Sequence, residues 1–216
     1  MRIAMIGAGS VGGTLGRRWA AHGHAVTFGV RDPGRGASAV KGGALPAGAS
    51  VASVADAVRG AEVVVLATPW NAVPDALREA GGEGGALDGV VLVDATNPLK
   101  WPQLDVGPHG ESGAERVQAM APRARVVKAF NTTGAENMAD PRYDGAPTAM
   151  FYAGDDAAAK ATVRPLVEAL DFDAIDAGPL VRARELEHLA MLWIALSAGL
   201  GVPSMGRGFA FRVVRR

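Results

Sequence analysis

The chain contains no cysteine among its 216 residues. That excludes disulfides and thiolate metal ligands, and with them a secreted scaffold held by cross-links. Net charge is also missing, since Lys plus Arg and Asp plus Glu each total 22. No global field draws the protein to nucleic acid or to an acidic membrane surface. Long hydrophobic runs are lacking too. The most apolar segment, "LEHLAMLWIALSAGLGV", stays uncharged for about 14 residues from Leu189 to Pro203, short of the roughly 20 that span a bilayer. The opening "MRIAMIGAG" has one basic residue, but glycine cuts its apolar run early. No secretory leader is expected, and a cytoplasmic location is. The histidines are scattered: His22 and His24 flank Gly23, His109 lies in a Gly/Pro loop and His188 rides the last helix. None has a second ligand at metal spacing, so no metal site is expected. There is no GxSxG elbow and no cysteine nucleophile.

What is present is the balance of a soluble globular protein, 49% hydrophobic and 20% charged, long enough for one core or a core plus a small appendage. Strand candidates are Arg2–Ile6, Ala25–Val30, Ala49–Val51, Val63–Ala67, Val90–Asp94, Arg125–Ala129, Ala149–Ala153 and Phe172–Asp176. Runs such as "VVVLA" and "VVLVD" are apolar throughout, as parallel strands covered on both faces require. Helix candidates alternate with them: Val11–His22, Ser53–Arg59, Asn71–Ala80, Gly113–Ala121 and Asp155–Leu170, the last with Asp155 or Asp156 as cap. This alternation predicts an α/β fold, a Rossmann-type doubly wound, mostly parallel sheet with a small C-terminal helical extension. The dinucleotide-binding domain would run over residues 1–178, with a helix and tail over 179–216. Gly34–Gly48 and Gly81–Gly89 are expected to be surface loops or frayed helix ends. The final helix, Arg182 to about Ala198, is apolar on more than one stripe, so it would pack on the core and also on a second copy of the chain, or simply be buried.

The first strand runs into "GAGSVG", residues 7–12, and then into a helix. Placed between the first strand and first helix of a βαβ unit, this pattern indicates a dinucleotide site. Gly7 permits the turn, Gly9 leaves room for a pyrophosphate, and Gly12 allows close helix–strand packing. The helix N-terminus then offers N–H donors to the phosphates. Three later strand ends carry small polar side chains, Pro and aromatics: "ATPWNAV", "DATNPL" and "KAFNTTGAENM". Together they suggest a cleft lined for planar rings.

Cofactor choice turns on "VTFGVRDPGR". A ribose held by Asp32 would favour NAD, because a 2′-phosphate would meet a like charge. Arg31 projecting from the strand end would clamp the 2′-phosphate and favour NADP. The apolar run extends through Val30, so Arg31 is the first side chain past the strand; Asp32 precedes Pro33 and suits a turn. Arg35 adds a second cation within reach. NADP(H) is the expected cofactor, with a solvated surface arginine as the competing reading. Lys128 is either a catalytic amine or, more in keeping with its place, a hydrogen-bond donor to a loop carbonyl or phosphate. With no acid or nucleophile in view, no catalytic side chain is assigned. Hydride transfer between two bound ring systems fits, because there the cofactors bring the chemistry and the protein orients them.

These segments resemble the NADPH-dependent coenzyme F420 reductases, also called F420-dependent NADP oxidoreductases, and their bacterial relatives. "IAMIGAGSVGGTLGRRWAAHGHAVTFGVRDP", "VVVLATPWNAV", "VVKAFNTTGAENM", "FYAGDD", "DAGPLVRARELEHLAMLW" and "GRGFAFRVVR" carry the resemblance along nearly the whole chain. It implies a compact, usually dimeric dinucleotide-binding fold in which a deazaflavin, coenzyme F420, stacks on the nicotinamide of NADP(H). The partners would be small molecules and a second copy, with no nucleic acid and no membrane. Carried over, Gly7, Ala8, Gly9, Ser10, Val11 and Gly12 would hold the pyrophosphate, and Arg31 with Arg35 the 2′-phosphate. Thr68, Pro69, Trp70, Asn97 and Pro98 would lie near the nicotinamide, with Asn131 and Thr132 in the same cleft. Two positions depart from the family pattern. Val30 stands where a serine commonly precedes the arginine, and Ala8 and Ser10 stand where archaeal members offer a threonine hydroxyl. The same domain occurs fused to membrane metalloreductases, so an NADPH-dependent flavin (FAD or FMN) or ferric reductase is the alternative, and a non-enzymatic NADP(H) sensor a third. A β-hydroxyacid dehydrogenase is excluded, because about 35 residues after Pro179 cannot build its helical domain.

Overall fold

A computed structural model of the chain describes residues 1–82 and 84–216; Glu83, inside the second glycine-rich stretch, lies outside the described residues. The first half of the chain runs β1 (Arg2–Ile6), α1 (Ser10–Ala21), β2 (Ala25–Gly29), β3 (Ala49–Ala52), α2 (Val54–Val58), β4 (Val63–Leu66), α3 (Val73–Glu79) and β5 (Val91–Asp94). A short hairpin follows, β6 (Leu99–Lys100) and β7 (Gln103–Leu104), then α4 (Gly113–Met120), β8 (Arg125–Ala129) and α5 (Ala135–Ala139). A second hairpin, β9 (Arg142–Tyr143) and β10 (Ala146–Pro147), leads to β11 (Ala149–Gly154), α6 (Ala157–Glu168), β12 (Asp173–Gly178) and α7 (Ala183–Ala198).

Eight strands form one sheet in the order β12-β11-β8-β5-β4-β1-β2-β3. The six from β3 to β8 are mutually parallel; β11 pairs antiparallel with β8, and β12 parallel with β11. This is the doubly wound α/β architecture expected from the sequence. The apolar run at Ala149–Ala153 looks the same in either direction. The connection through α5 and the second hairpin brings the chain back beside β8 in the reverse direction.

Alternate side chains of each central strand enter opposite cores. Ile3, Met5, Phe28, Val63, Val65 and Val93 pack under α1 and α6 with Trp19 and Val163. Ala4, Ile6, Val64, Leu66 and Leu92 pack under α2, α3 and α4. Burial on both faces accounts for the absence of polar alternation in these strands. Trp19 is wholly buried, donates its indole N–H to Leu166 O at 2.9 Å, and meets Phe130 edge-on.

Helix ends follow local chemistry. Asp156 caps α6 by accepting the Ala159 N–H at 2.6 Å, while its neighbour Asp155 accepts from Leu180 N–H at 2.8 Å and so ties β11 to the approach of α7. Ser112 and Glu115 form a capping box on α4, and Arg184 of α7 clamps Glu115 through two hydrogen bonds of 2.8 and 2.7 Å. Past α7 the tail folds back. Phe209 stacks on Trp193, its carbonyl accepts from the Trp193 indole at 2.8 Å, and Phe211 O takes the Ala149 N–H of β11 at 2.9 Å. Among the described residues no helix is long and apolar enough to cross a membrane.

The strand order reverses between β1 and β4. The chain starts at the sheet centre, winds out through β2 and β3, and then resumes on the other side of β1. In open α/β sheets ligands bind in the crevice at the carboxyl ends of the strands where this reversal occurs.

Candidate functional site

Gly7 and Ala67 follow the two strands that flank the reversal. Gly7 has φ +102°, and a Cβ on it would lie 2.5 Å from Ala67 O; a Cβ on Gly12 would lie 2.0 Å from Gly7 O. Both positions therefore demand glycine, one for conformation and one for close approach. Gly9 differs, because a Cβ there would meet nothing within 4 Å. Neighbouring atoms leave this side of the turn open. Gly9 is also the N-cap of α1 and makes no side-chain cap, and no acidic residue stands in the first turn. The leading N–H groups of a helix have no partner within it. Here they and the positive end of α1 border open space, and this arrangement fits the pyrophosphate of a dinucleotide.

At the end of β2 the strand stops at Gly29, and the Val30 N–H donates to Ala52 O at 3.0 Å. Val30 packs against the core, whereas Arg31, Asp32 and Arg35 are exposed. Asp32 opens a 3-10 turn over Pro33–Ala39 and makes no side-chain capping bond. Arg35 reaches only Ser38 O, at 3.4 Å. Among the described residues neither Arg31 nor Arg35 is ion-paired.

The ends of β5 and β8 are brought together. Asn97 Nδ2 donates to Asn131 O at 2.9 Å; Asn131 Nδ2 donates to Asn97 Oδ1 and to Leu186 O, both at 3.1 Å. Phe130 sits in the left-handed region at φ +61°, a conformation costing a bulky residue about 1–2 kcal/mol. Such strain persists only where surrounding packing fixes it, and the Phe130 ring is held against Trp19. Thr132 is buried beside Asn131. Two buried oxygens, Thr68 Oγ1 and Asn131 Oδ1, have no hydrogen-bond partner among the described residues.

Trp70 takes a different place from the glycine turn. Its indole N–H donates to Asp105 Oδ2 at 3.1 Å, and the Arg116 guanidinium lies 4.7 Å from its ring centre while also donating to Asp105. The Trp70 N–H, and after it Arg116, hold the Asp105 carboxyl below the usual carboxylate range. These three groups, with Leu99 and Met120, line a cavity of about 540 Å³ on the α3–α4 side of the sheet.

Beneath the strand ends lies a buried charge cluster. Lys128 of β8 is fully buried; its ammonium donates to Asp94 Oδ2 at 2.9 Å, Glu187 Oε1 at 2.8 Å and Thr96 O at 2.6 Å. Asp94 also accepts from the Thr96 N–H and hydroxyl. Glu187 accepts the Gly113 and Ala114 N–H groups at 2.9 and 3.2 Å, at the start of α4. One cation and two carboxylates leave a net negative charge, which the positive end of α4 offsets. Burial pulls the Lys128 pKa down, but Asp94 and Glu187 outweigh it, and the group keeps its proton above the ordinary lysine value. An ammonium with three internal acceptors and no exposure is a structural tie, and the loop carbonyl among those acceptors is the kind the sequence favoured.

Comparison with known proteins agrees with this geometry. The family model described as "NADP oxidoreductase coenzyme F420-dependent" matches residues 2–98. A candidate F420-dependent NADP-reductase from Arthrobacter sp. FB24 is 38% identical, with a TM-score of 0.83 and full coverage of both chains. The chain belongs to the F420-dependent NADP oxidoreductase family. A hypothetical protein from Sinorhizobium meliloti is 28% identical, with a TM-score of 0.72, over 85% of this chain and 88% of that one. The rat Metalloreductase STEAP3 is 32% identical over 191 residues, 88% of this chain but only 36% of the relative. The chain thus spans about a third of that curated protein.

In this family member two groups at the cleft escaped the sequence reading. Glu187 had one available signal, an acidic residue inside an apolar helix. Lys41 had none: its N–H donates to Ala8 O at 2.9 Å and its ammonium to Ser10 Oγ at 2.8 Å, yet it comes from a glycine-rich loop. The buried cluster yields a quantitative expectation. Lys128→Met strands two buried carboxylates and should lower unfolding free energy by about 3–5 kcal/mol in urea melts. A loss below about 1 kcal/mol would contradict its role as a structural tie.

Proposed function

We propose that this NADP-dependent oxidoreductase transfers hydride between NADP(H) and a deazaflavin of the coenzyme F420 type, the two rings stacked at the carboxyl ends of β4, β5 and β8. The observation that carries this reading is the open glycine turn at the sheet's reversal point in a chain of this family. The nicotinamide and deazaflavin rings would donate and accept the hydride themselves. The protein's part is to bind, orient and keep water out.

In this reading Gly7, Ala8, Gly9, Ser10, Val11 and Gly12 form the pyrophosphate cradle. Arg31 and Arg35 have no ion pair among the described residues and are exposed where a 2′-phosphate would arrive. Thr68, Pro69, Asn97 and Pro98 border the nicotinamide. Asn131 and Thr132 close that end, and the hydrogen bonds between Asn97 and Asn131 hold the edge rigid. Trp70 flanks the ring region from the neighbouring cavity. No side chain is assigned a proton-transfer role; Lys128, the buried amine among the described residues, is consumed by internal ion pairs. The exposed apolar residues Leu192, Leu200, Val202 and Met205 at the end of α7 and beyond it support a homodimer.

A second reading, NADPH-dependent reduction of a flavin or of ferric iron through one, is favoured by the 32% identity to Metalloreductase STEAP3. An acceptor panel separates the two. NADPH should bleach the absorbance of oxidised F420 in the presence of the protein. Turnover with FAD or FMN but not F420 would replace the first reading with the second, and binding without any turnover would leave a sensor. For the cofactor, NADPH should bind more tightly than NADH, and Arg31→Ala should weaken NADPH about tenfold or more while leaving NADH within about twofold. Equal affinities in the wild type would overturn the assignment to NADP.

A further inference from the structure

We infer that Lys41 is a phosphate-binding residue of the dinucleotide site, its ammonium shared between Ser10 and the pyrophosphate; the inference rests on the NADP(H) reading above. The segment carrying Lys41 is fastened to the glycine turn by several independent contacts. Its own N–H donates to Ala8 O at 2.9 Å. Its carbonyl accepts from Arg17 Nε at 3.3 Å, and another Arg17 nitrogen donates to Ala44 O. The preceding Val40 is buried in the core beneath α1. Gly13 completes the arrangement. It lies outside the GxGxxG pattern, yet a Cβ on it would stand 2.6 Å from Lys41 O. The second glycine of the Gly12-Gly13 pair is thus needed to admit Lys41's backbone.

So fixed, the side chain reaches Ser10, the first residue of α1, at 2.8 Å. That is an unfavourable place for a cation, because the N-terminus of a helix is its positive end. Among the described residues no carboxylate pairs with it directly, and the first turn of α1 has no acidic residue. Glu136, close enough to feel its charge, is bonded to Arg207 at 2.8 Å. An anion lying against Gly9 would be attracted by both the helix end and the ammonium, and would relieve their mutual repulsion. Lys41 and Ser10 would then supply phosphate contacts beside the bare Gly9.

The test compares NADPH and NADH binding to the wild type, Lys41→Met and Lys41→Arg by calorimetry, with thermal midpoints as the folding control. Because the pyrophosphate is common to both dinucleotides, Lys41→Met should weaken both by about tenfold and leave their ratio unchanged. Lys41→Arg should restore most of the affinity, and the Lys41→Met midpoint without ligand should match the wild type. Unchanged affinities in Lys41→Met would overturn the inference while leaving the dinucleotide reading intact. A loss confined to NADPH would overturn the pyrophosphate assignment and move Lys41 to the 2′-phosphate. Failure of the wild type to bind either dinucleotide would overturn both.

Discussion

The buried ammonium of Lys128 holds together the half of the cleft in which the proposed rings would lie. It links Asp94 at the end of β5, its own strand β8, and Glu187 of α7, and Glu187 in turn grips the first N–H groups of α4. Removing these charges from water costs several kcal/mol each, which their attraction offsets only when every lone pair and proton is used. All three ammonium protons have acceptors, and both carboxylates have further donors. Such a cluster tolerates little displacement. It therefore fixes the loops that start immediately above it, carrying Asn97 and Asn131.

The half in which the phosphates would lie is built on a different constraint, the absence of side chains. Gly7 and Gly12 let the turn close against Ala67 and itself, Gly13 admits the Lys41 backbone, and Gly16 faces the Phe28 ring, where a Cβ would come within 2.6 Å. Of the glycines in this turn and in α1, Gly9 alone is bare towards open space. One half of the cleft is thus rigid through buried charge and the other through close backbone packing, with the strand-order reversal between them. The proposed hydride transfer would draw on this division, because two stacked rings would have to be held in place by the protein.

The phosphate half was largely legible in the sequence because its requirements are local. A glycine pattern between an apolar run and a helix has few other meanings, and strands buried on both faces announce themselves as continuous Val, Leu and Ile. The family resemblance added Thr68, Pro69, Trp70, Asn97 and Pro98 as candidates for the ring end. The ring half was legible only in outline. Lys128 meets partners 34 and 59 residues away, and no short-range pattern encodes that. Phe130's left-handed backbone is imposed by tertiary packing. Helix α5, only five residues long, and the returning tail with Phe209 and Phe211 depend on contacts with Trp193 and β11 rather than on periodicity. Lys41 was hidden for a similar reason, since a lysine in a glycine-rich loop ordinarily means a solvated surface.

The proposed dinucleotide would lie across the reversal point, phosphates on α1 and nicotinamide above the buried cluster. A crystal structure of the protein grown with NADPH tests this placement most directly. The pyrophosphate should lie against the N–H groups of Ser10, Val11 and Gly12, the 2′-phosphate beside Arg31, and the nicotinamide between Thr68 and Asn97. A dinucleotide bound away from the glycine turn, or a nicotinamide pointing away from the ends of β4, β5 and β8, would contradict it.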